Sequence, residues 1–476
     1  MPTMRAWDGT QWVTLPAASP AFVAANQAVN VSFTPAGSIA ASNVQAAVEE
    51  VATDYIAADS ALTAAYQAAD ALRPTSATLA ASGGSALIGF VASGGTATTV
   101  QSELRRIINV RMYGATGNGT TDDTAAINAA FAALNNADIC EVYFPAGTYR
   151  TTAQLVVTNK KVHIRGAGQG ATVIKCEMVS GICMSVANTD YTQFATVEGI
   201  TFTTNQVNSV TGLYVEFATA DATNNRIFDR CTLRDLQFLG SVPGVVGWQK
   251  GIDLVNVHAA SLMDININGA TYAASMVAGV SISNISTGAP ADITFRNVKV
   301  YYGLIGFKGT GHLEGINFSQ CFAIACAVGW DFRLSSEFPW FVASQCHANV
   351  TQQGFHLENF SQSWITNNLI YIVNQPALST PVGISLDACN DTIVSQNNIV
   401  NPIAVGGTTV VGVFNTNSQR NKIVNNKVAG FDVGYWIQGT SDFTRTYDNE
   451  VSSGYVGNIA YHMTASGGSN TVRNTP

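Results

Sequence analysis

A repeat in the last half of the chain limits what it can fold into. From residue 251 onward, a glycine followed by an apolar residue opens one unit after another. The pairs are Gly251-Ile252, Gly279-Val280, Gly306-Phe307, Gly329-Trp330, Gly354-Phe355, Gly383-Ile384, Gly412-Val413 and Gly434-Tyr435. Spacings of 28, 27, 23, 25, 29, 29 and 22 residues separate them. Periods of this size mean stacked units, none of which can bury its apolar face alone. Inside each unit the period is two. "GIDLV", "GVSIS", "GWDFR", "GFHLE" and "GISLD" put apolar side chains at the first and third positions after glycine, the alternation of short strands. Three such strands with their turns fill a unit and leave no room for an ordinary helix. The pattern predicts one coil of a parallel β-helix per unit, an all-β solenoid.

A second marker follows the glycines by 14 to 18 residues: Asn297, Cys321, Cys346, Asn368, Asn398, Asn426 and Asn449. Asparagine takes left-handed backbone angles at turns with little cost. Stacked at roughly 4.8 Å, its amides can bond from coil to coil. Cysteine fills the same slot as a small apolar residue.

Charge is scarce, 11% of the 476 residues with a net −8. Neither a run of Lys or Arg nor an apolar run long enough to span a bilayer occurs. Nucleic acid and membrane insertion are therefore not expected. The eight cysteines have no metal-ligand spacing and read as reduced core residues. No metal or cofactor is expected. The start "MPTMRAWDGTQW" carries no signal-peptide pattern, so synthesis in a host cytoplasm is expected.

Residues 1–40 read as a turn-rich segment with a hairpin at Asp8-Gly9 between Trp7 and Trp12. Over 41–73 the seam Val44, Val48, Val51, Tyr55, Ala58, Leu62, Ala65, Ala69 and Leu72 alternates spacings of four and three. That is a coiled-coil heptad pattern, with Ser42 expected as N-cap and Pro74 as stop. No other helix offers a matching stripe, so further copies of the chain are the expected partner. Residues 74–108 read as a Ser/Thr/Gly-rich neck, with a short apolar segment at 87–91. The solenoid is expected over 109–476. Near 122–135, Thr121 or Asp122 should cap a helix whose face is Ala126, Ile127, Ala130, Phe131 and Leu134, closing one solenoid end.

The pieces "TTVQSELRRIINV", "YGATGNGTTDDTAAINAAF" and "VYFPAGTYRTT" resemble the pectate-lyase-like superfamily as it occurs in bacteriophage tailspikes. "FTPAGSIAASNVQAAVEE" looks like the particle-proximal part of tail fibres. The resemblance implies a right-handed parallel β-helix, a homotrimer, and a place on the virion tail with the N-terminus docked to other tail proteins. It further implies recognition of bacterial surface polysaccharide (capsule, O-antigen or exopolysaccharide), which many such spikes cleave. Within it, Asp122 and Asp123 mark the fold and not an active site.

The repeat also places outward residues. The second position after glycine gives Asp253, Ser281, Lys308, Asp331, His356 and Ser385; the fourth gives Val255, Ser283, Thr310, Arg333, Glu358 and Asp387. Six ionisable groups thus share one face over four coils. Glycoside hydrolysis needs an acid and an ionised carboxylate, about 6.5 to 9.5 Å apart for inversion. Strand spacings put Asp331 and Glu358 at about 8 Å. Those two are the expected catalytic pair, with Asp387 as a like charge beside Glu358. Arg333, His356, Lys308, Trp340 and Trp364 are the expected substrate-binding residues. A lyase is the alternative, with His356 as base and Lys308 or Arg333 neutralising a uronate; a non-catalytic receptor-binding fibre is another. The same groups also read as a salt-bridge ladder, Arg333 to Glu358 and Asp331 to His356. His312 and Glu314 form a weaker second candidate on an adjacent strand face, and His163 and His462 read as structural.

Overall fold

The computed structural model describes residues 5–7, 10–14, 32, 34, 39–73, 75–80, 89–90, 94–95, 97–104, 106–136, 140–189, 193–207, 209–217, 231–242, 245–257, 259–269, 277–283, 292–373, 381–402, 409–452, 459–465 and 469–473. Two compact units divide the chain, Met1–Glu103 and Leu104–Pro476.

The second unit is all-β apart from short helices, and its named strands pair in parallel. Three ladders run through it. The first passes from Leu155–Thr158 through Lys250–Val255 and Val382–Asp387 to Ile459–Met463. The second runs from Ile107–Asn109 and Glu141–Phe144 to Thr471–Arg473, and the third from Asn118–Asp122 and Gly147–Thr151 to Glu450–Ser452. Each coil gives one strand to each ladder, as the period-two pattern requires. Inward positions build a continuous core. Phe307, Trp330 and Phe355 stack face to face at 5.0 and 4.5 Å, and Phe295 and Phe318 at 4.4 Å.

The glycine marker has a steric cause. A Cβ on Gly383 would lie 2.4 Å from the Gly412 carbonyl oxygen and 2.5 Å from Ile399 Cγ2; on Gly354 it would lie 2.5 Å from the Gly383 carbonyl oxygen. The coils from Gly251 to Gly412 therefore need glycine where the first ladder begins, because the next coil's backbone and a third-ladder side chain already crowd the space. At Gly309 a Cβ would meet the Phe332 ring at 2.2 Å. That ring supplies the apolar volume its own coil lacks, and Lys308 stays in register with Asp331.

The second marker divides into two adjacent columns. Left-handed backbone falls on Asn297, Gln320, Gln345, Asn367, Gln396, Asn425 and Asp448. The next residue is the one that stacks. Asn368 Nδ2 donates to Asn397 Oδ1 at 3.0 Å, Asn397 to Asn426 at 2.9 Å, and Asn426 to Asn449 at 3.1 Å. The buried slot thus holds Asn397 and not Asn398, and Val298 and not Asn297. Cys321 and Cys346 occupy it in earlier coils, where the Cys346 amide donates to Asn368 Oδ1. All eight cysteines are free.

The expected capping helix is Thr124–Ala132, preceded by the strand Asn118–Asp122. Its N-cap is Asp123, not Thr121 or Asp122. The Asp123 carboxylate instead accepts from the Thr116 and Gly117 amides, tying the loop to the helix start. Ile127, Ala130, Phe131 and Leu134 are buried. Asn128 bonds the Gln154 carbonyl and the Val156 amide, which fixes the helix to the beginning of the first ladder.

In the first unit, Arg5–Trp7 pairs antiparallel with Trp12–Thr14, with Trp7 opposite Trp12. Asp8, Gly9 and Pro74 lie outside the described residues, as do 87–88 and 91 of the expected apolar segment; Gly89–Phe90 pairs antiparallel with Thr98–Thr99. The long helix is Val44–Ala71. Asn43, one residue after Ser42, is its N-cap and accepts from the Ala46 amide at 2.8 Å. Val48, Val51, Tyr55, Leu62 and Leu72 along the seam are exposed.

Candidate functional site

The first ladder sets two outward columns in register. Cα pairing runs Asp253, Ser281, Lys308, Asp331, His356 and Ser385 in one, and Val255, Ser283, Thr310, Arg333, Glu358 and Asp387 in the other. Residues up to 134 positions apart in sequence become a continuous strip because every coil enters this ladder at its glycine.

Asp331 is the focus of the strip. Its side chain is 8% exposed, and Oδ1 accepts from Arg333 Nε at 2.8 Å. His356 Nδ1 lies 3.0 Å from the same oxygen, an ion-pair contact without the angles of a hydrogen bond. Burial pushes the Asp331 carboxyl up, but His356 and Arg333 outweigh it and hold the carboxyl below the ordinary aspartate value. The group is an anion in a dry, cationic setting. Arg333 therefore pairs within its own strand, and the Arg333–Glu358 ion pair expected from the register is not formed. Glu358 makes no side-chain hydrogen bond or ion pair among the described residues. Its vertical neighbour Asp387 accepts from Asn417 Nδ2 at 3.0 Å. Half-buried Lys308, directly in register with Asp331, also makes no ion pair among the described residues.

Trp340 and Trp364 are exposed but belong elsewhere. Trp364 sits on the second ladder opposite Val342, and Trp340 precedes that ladder's strand Phe341–Ser344. The structure thus brings together Lys308, Asp331, Arg333, His356, Glu358 and Asp387, and leaves the two tryptophans on the next face. His312 and Glu314 follow the strand Ile293–Gly311 in a turn and not on a strand face; His312 packs on Phe338 at 4.9 Å. His462 packs on Trp436 at 4.9 Å.

Two further polar clusters were not singled out in sequence. On the first ladder, Lys250 Nζ donates to Asp253 Oδ2 at 2.7 Å, and Tyr214 Oη to Glu216 Oε2 at 2.9 Å. On the second ladder, buried Glu198 holds His163 Nε2 at 2.8 Å and also pairs with Arg234. Arg165 joins Glu141 at 2.7 Å and lies over the Tyr143 ring. A cavity of about 340 Å³ opens beside Arg165, Glu198, Arg234 and Asp235. The outward charges of "VHIRG", "TVEGI" and "TLRDL" were the available signal.

Comparison with known proteins gives a family. The family model described as rhamnogalacturonase A/epimerase, pectate lyase-like, matches residues 107–356, more than half of the chain. Alginate lyase 7 of Azotobacter vinelandii is 37% identical over 123 residues, 23% of this chain and 14% of that protein. Mannuronan C5-epimerase AlgE1 of the same organism is 45% identical over 84 residues, 16% of this chain and 6% of that protein. The chain spans less than a fifth of the length of either relative. Among solved structures, tailspike protein 3 of bacteriophage CBA120 has a TM-score of 0.47 at 13% identity, covering 86% of this chain and 68% of that one. The AlgE6 A-module of Azotobacter vinelandii has 0.46 at 16%, covering 77% and 99%.

Proposed function

The chain belongs to the rhamnogalacturonase A/epimerase, pectate-lyase-like family, and from that premise we propose that it is a bacteriophage tailspike that binds bacterial surface polysaccharide and depolymerises it by glycoside hydrolysis. The spike is a right-handed parallel β-helix in a homotrimer, carried on the virion tail by residues 1–40 and a coiled coil over 41–73. The resemblance of the N-terminal segments to tail fibres supports the attachment. Relatives named as an alginate lyase and mannuronan epimerases support a polysaccharide substrate.

One observation carries the chemistry. Asp331 and Glu358 face outward on adjacent coils of one ladder, two residues out of line. Strand spacings set them about 8 Å apart, within the range of inverting hydrolases. In this reading Asp331, held ionised by Arg333 and His356, is the base that activates water. Glu358, free of any counter-ion among the described residues, protonates the leaving oxygen, with Asp387 as its neighbour. Lys308 and the exposed edge of Arg333 hold polar groups of the sugar. Purified protein should form haloes on a lawn of a susceptible host, and Asp331→Asn or Glu358→Gln should abolish them. Haloes that persist with both variants would end this assignment, and a wild type without haloes would point to a binding spike.

A lyase reading draws on Lys308. It stands in register beside Asp331 with no anionic partner among the described residues, a place from which it could neutralise a uronate while His356 removes the adjacent proton. Products absorbing in the ultraviolet as unsaturated uronates would select it; products without that absorbance would select hydrolysis.

A further inference from the structure

The second ladder carries a basic cavity far along the chain from the Asp331 strip. It measures about 370 Å³ and is lined by Asp391, Arg420, Lys422, Phe443 and Arg445. Lys422 and Arg445 are Cα partners on adjacent coils, both exposed. Like charges directly opposite each other on parallel strands repel, and neither has a counter-ion among the described residues. The one lining carboxylate is already used: Arg420 grips Asp391 with two bonds, 2.8 and 2.7 Å. Three cations thus face one committed anion, in a chain of net charge −8 with few charges anywhere.

Phe443 closes the rim and is 52% exposed. It occupies a turn where the backbone is left-handed, φ 52°, as at Asp391 and Arg420 in the coils before it. Bulky residues adopt that region at a cost which Asp and Asn largely avoid. Phenylalanine there is not what the turn itself favours, and about half of the residue stays open to solvent.

We propose that this cavity is a second, non-catalytic binding site for an acidic polysaccharide. A carboxylate of the glycan sits between Lys422 and Arg445 and relieves their repulsion, and the adjoining sugar ring lies on Phe443. Apolar contact plus a few placed charges is the usual composition of such sites. A nucleic acid fits less well: these cations form one local group, with no basic track leading from them among the described residues to follow a phosphate backbone. The site is independent of whether Asp331 and Glu358 cleave anything.

The test uses full-length Asp331→Asn protein, so that cleavage cannot intervene, and its binding to immobilised polygalacturonate, alginate and hyaluronan against neutral dextran. At least one acidic polymer should be retained over dextran, more weakly as salt rises. The added pair Lys422→Gln and Arg445→Gln should cut that retention at least tenfold, and Phe443→Ala should cut it severalfold. Without ligand, the paired variant should melt no lower than its parent, since it removes a repulsion; the acidic polymer should raise the melting temperature of the parent more than that of the paired variant. The proposal is overturned by equal retention on dextran, by unchanged retention in the paired variant, or by equal retention on single-stranded DNA.

Discussion

Arg333 and Asp331 lie two residues apart on one strand, point the same way, and are joined by a 2.8 Å bond from Nε to Oδ1. Their contact fixes the charge of the strip's most buried carboxylate. Replacing Arg333 with Gln leaves Asp331 with His356 alone against the cost of burial. The Asp331 carboxyl should then titrate higher, and the acid limb of the activity profile should move to higher pH. Because the Arg333 side chain is 54% exposed, solvent screens much of the pair, and the stability loss should be only about 1 kcal/mol. A pH–rate profile that keeps its acid limb in the variant would remove Asp331 from the reaction.

Glu198 sets a second pH dependence. Burial raises its carboxyl, but bonds from Arg234 and His163 prevail and hold it below the ordinary glutamate value of 4.5. A depressed folded-state value stabilises the fold above the unfolded value and loses that contribution as pH falls through the folded one. Thermal stability from this source should be level above about pH 5 and fall below about 4.5. Glu198→Gln should flatten that fall while lowering stability at neutral pH, as read from melting temperature against pH.

The asparagine stack should be costly to interrupt. Asn397 donates to Ile365 O and Asn426 Oδ1, both at 2.9 Å, and accepts from the Asn368 amide and side chain, both at 3.0 Å. Asn397→Ala removes these four bonds; Asn426 Oδ1 keeps the Asn397 backbone amide and Asn368 Nδ2 keeps the Ala343 carbonyl, while the Asn368 amide and the Ile365 carbonyl lose their side-chain partner. Taking one to two as unrelieved, the loss is about 3 kcal/mol, seen as a lower denaturation midpoint. An alanine protein as stable as the parent would mean that water replaces the amide.

The glycines and the outward columns were legible in the sequence because one steric condition and one alternation repeat in every coil. Residues such as Lys308, Asp331 and His356 could be put in line by counting alone. What counting could not decide was rotamer choice. Arg333 reaches back along its own strand and not across to Glu358, and both options share one register. The slip from Asn397 to Asn398 has a similar origin. The left-handed turn position and the buried position after it both favour short amides, so neighbouring asparagines are indistinguishable without the backbone. The basic cavity was missed because Lys422, Arg445 and Phe443 belong to units whose glycine-proximal strands carry no charge at the positions tracked.

Glycine sterics give a graded test. Alanine at Gly383 would press on the Gly412 oxygen at 2.4 Å and on Ile399 Cγ2 at 2.5 Å. At Gly329 the carbonyl contact is 2.6 Å, but the nearest side-chain atom is Ala348 Cβ at 3.5 Å, an ordinary contact. Overpacking of this kind costs about 1 to 3 kcal/mol. Gly383→Ala should sit at the upper end and Gly329→Ala should be milder, which paired melting curves would rank.

The exposed seam of Val44–Ala71 tests the assembly. Val48, Val51, Tyr55 and Leu62 on this 28-residue helix, and Leu72 at its C-cap, lie open to solvent, and Ala47 is the helix's buried residue. Most helices owe their stability to packing of an apolar face and not to propensity, and a heptad seam of this length is what further copies of the same helix would cover. In the proposed trimer, Val51→Glu with Leu62→Glu places six carboxylates in that seam. The doubly substituted protein should lose the helical part of its circular dichroism and sediment below the mass of three chains. Loss of helix at unchanged mass would leave trimerisation to the solenoid, and both signals unchanged would remove the coiled coil from the proposal.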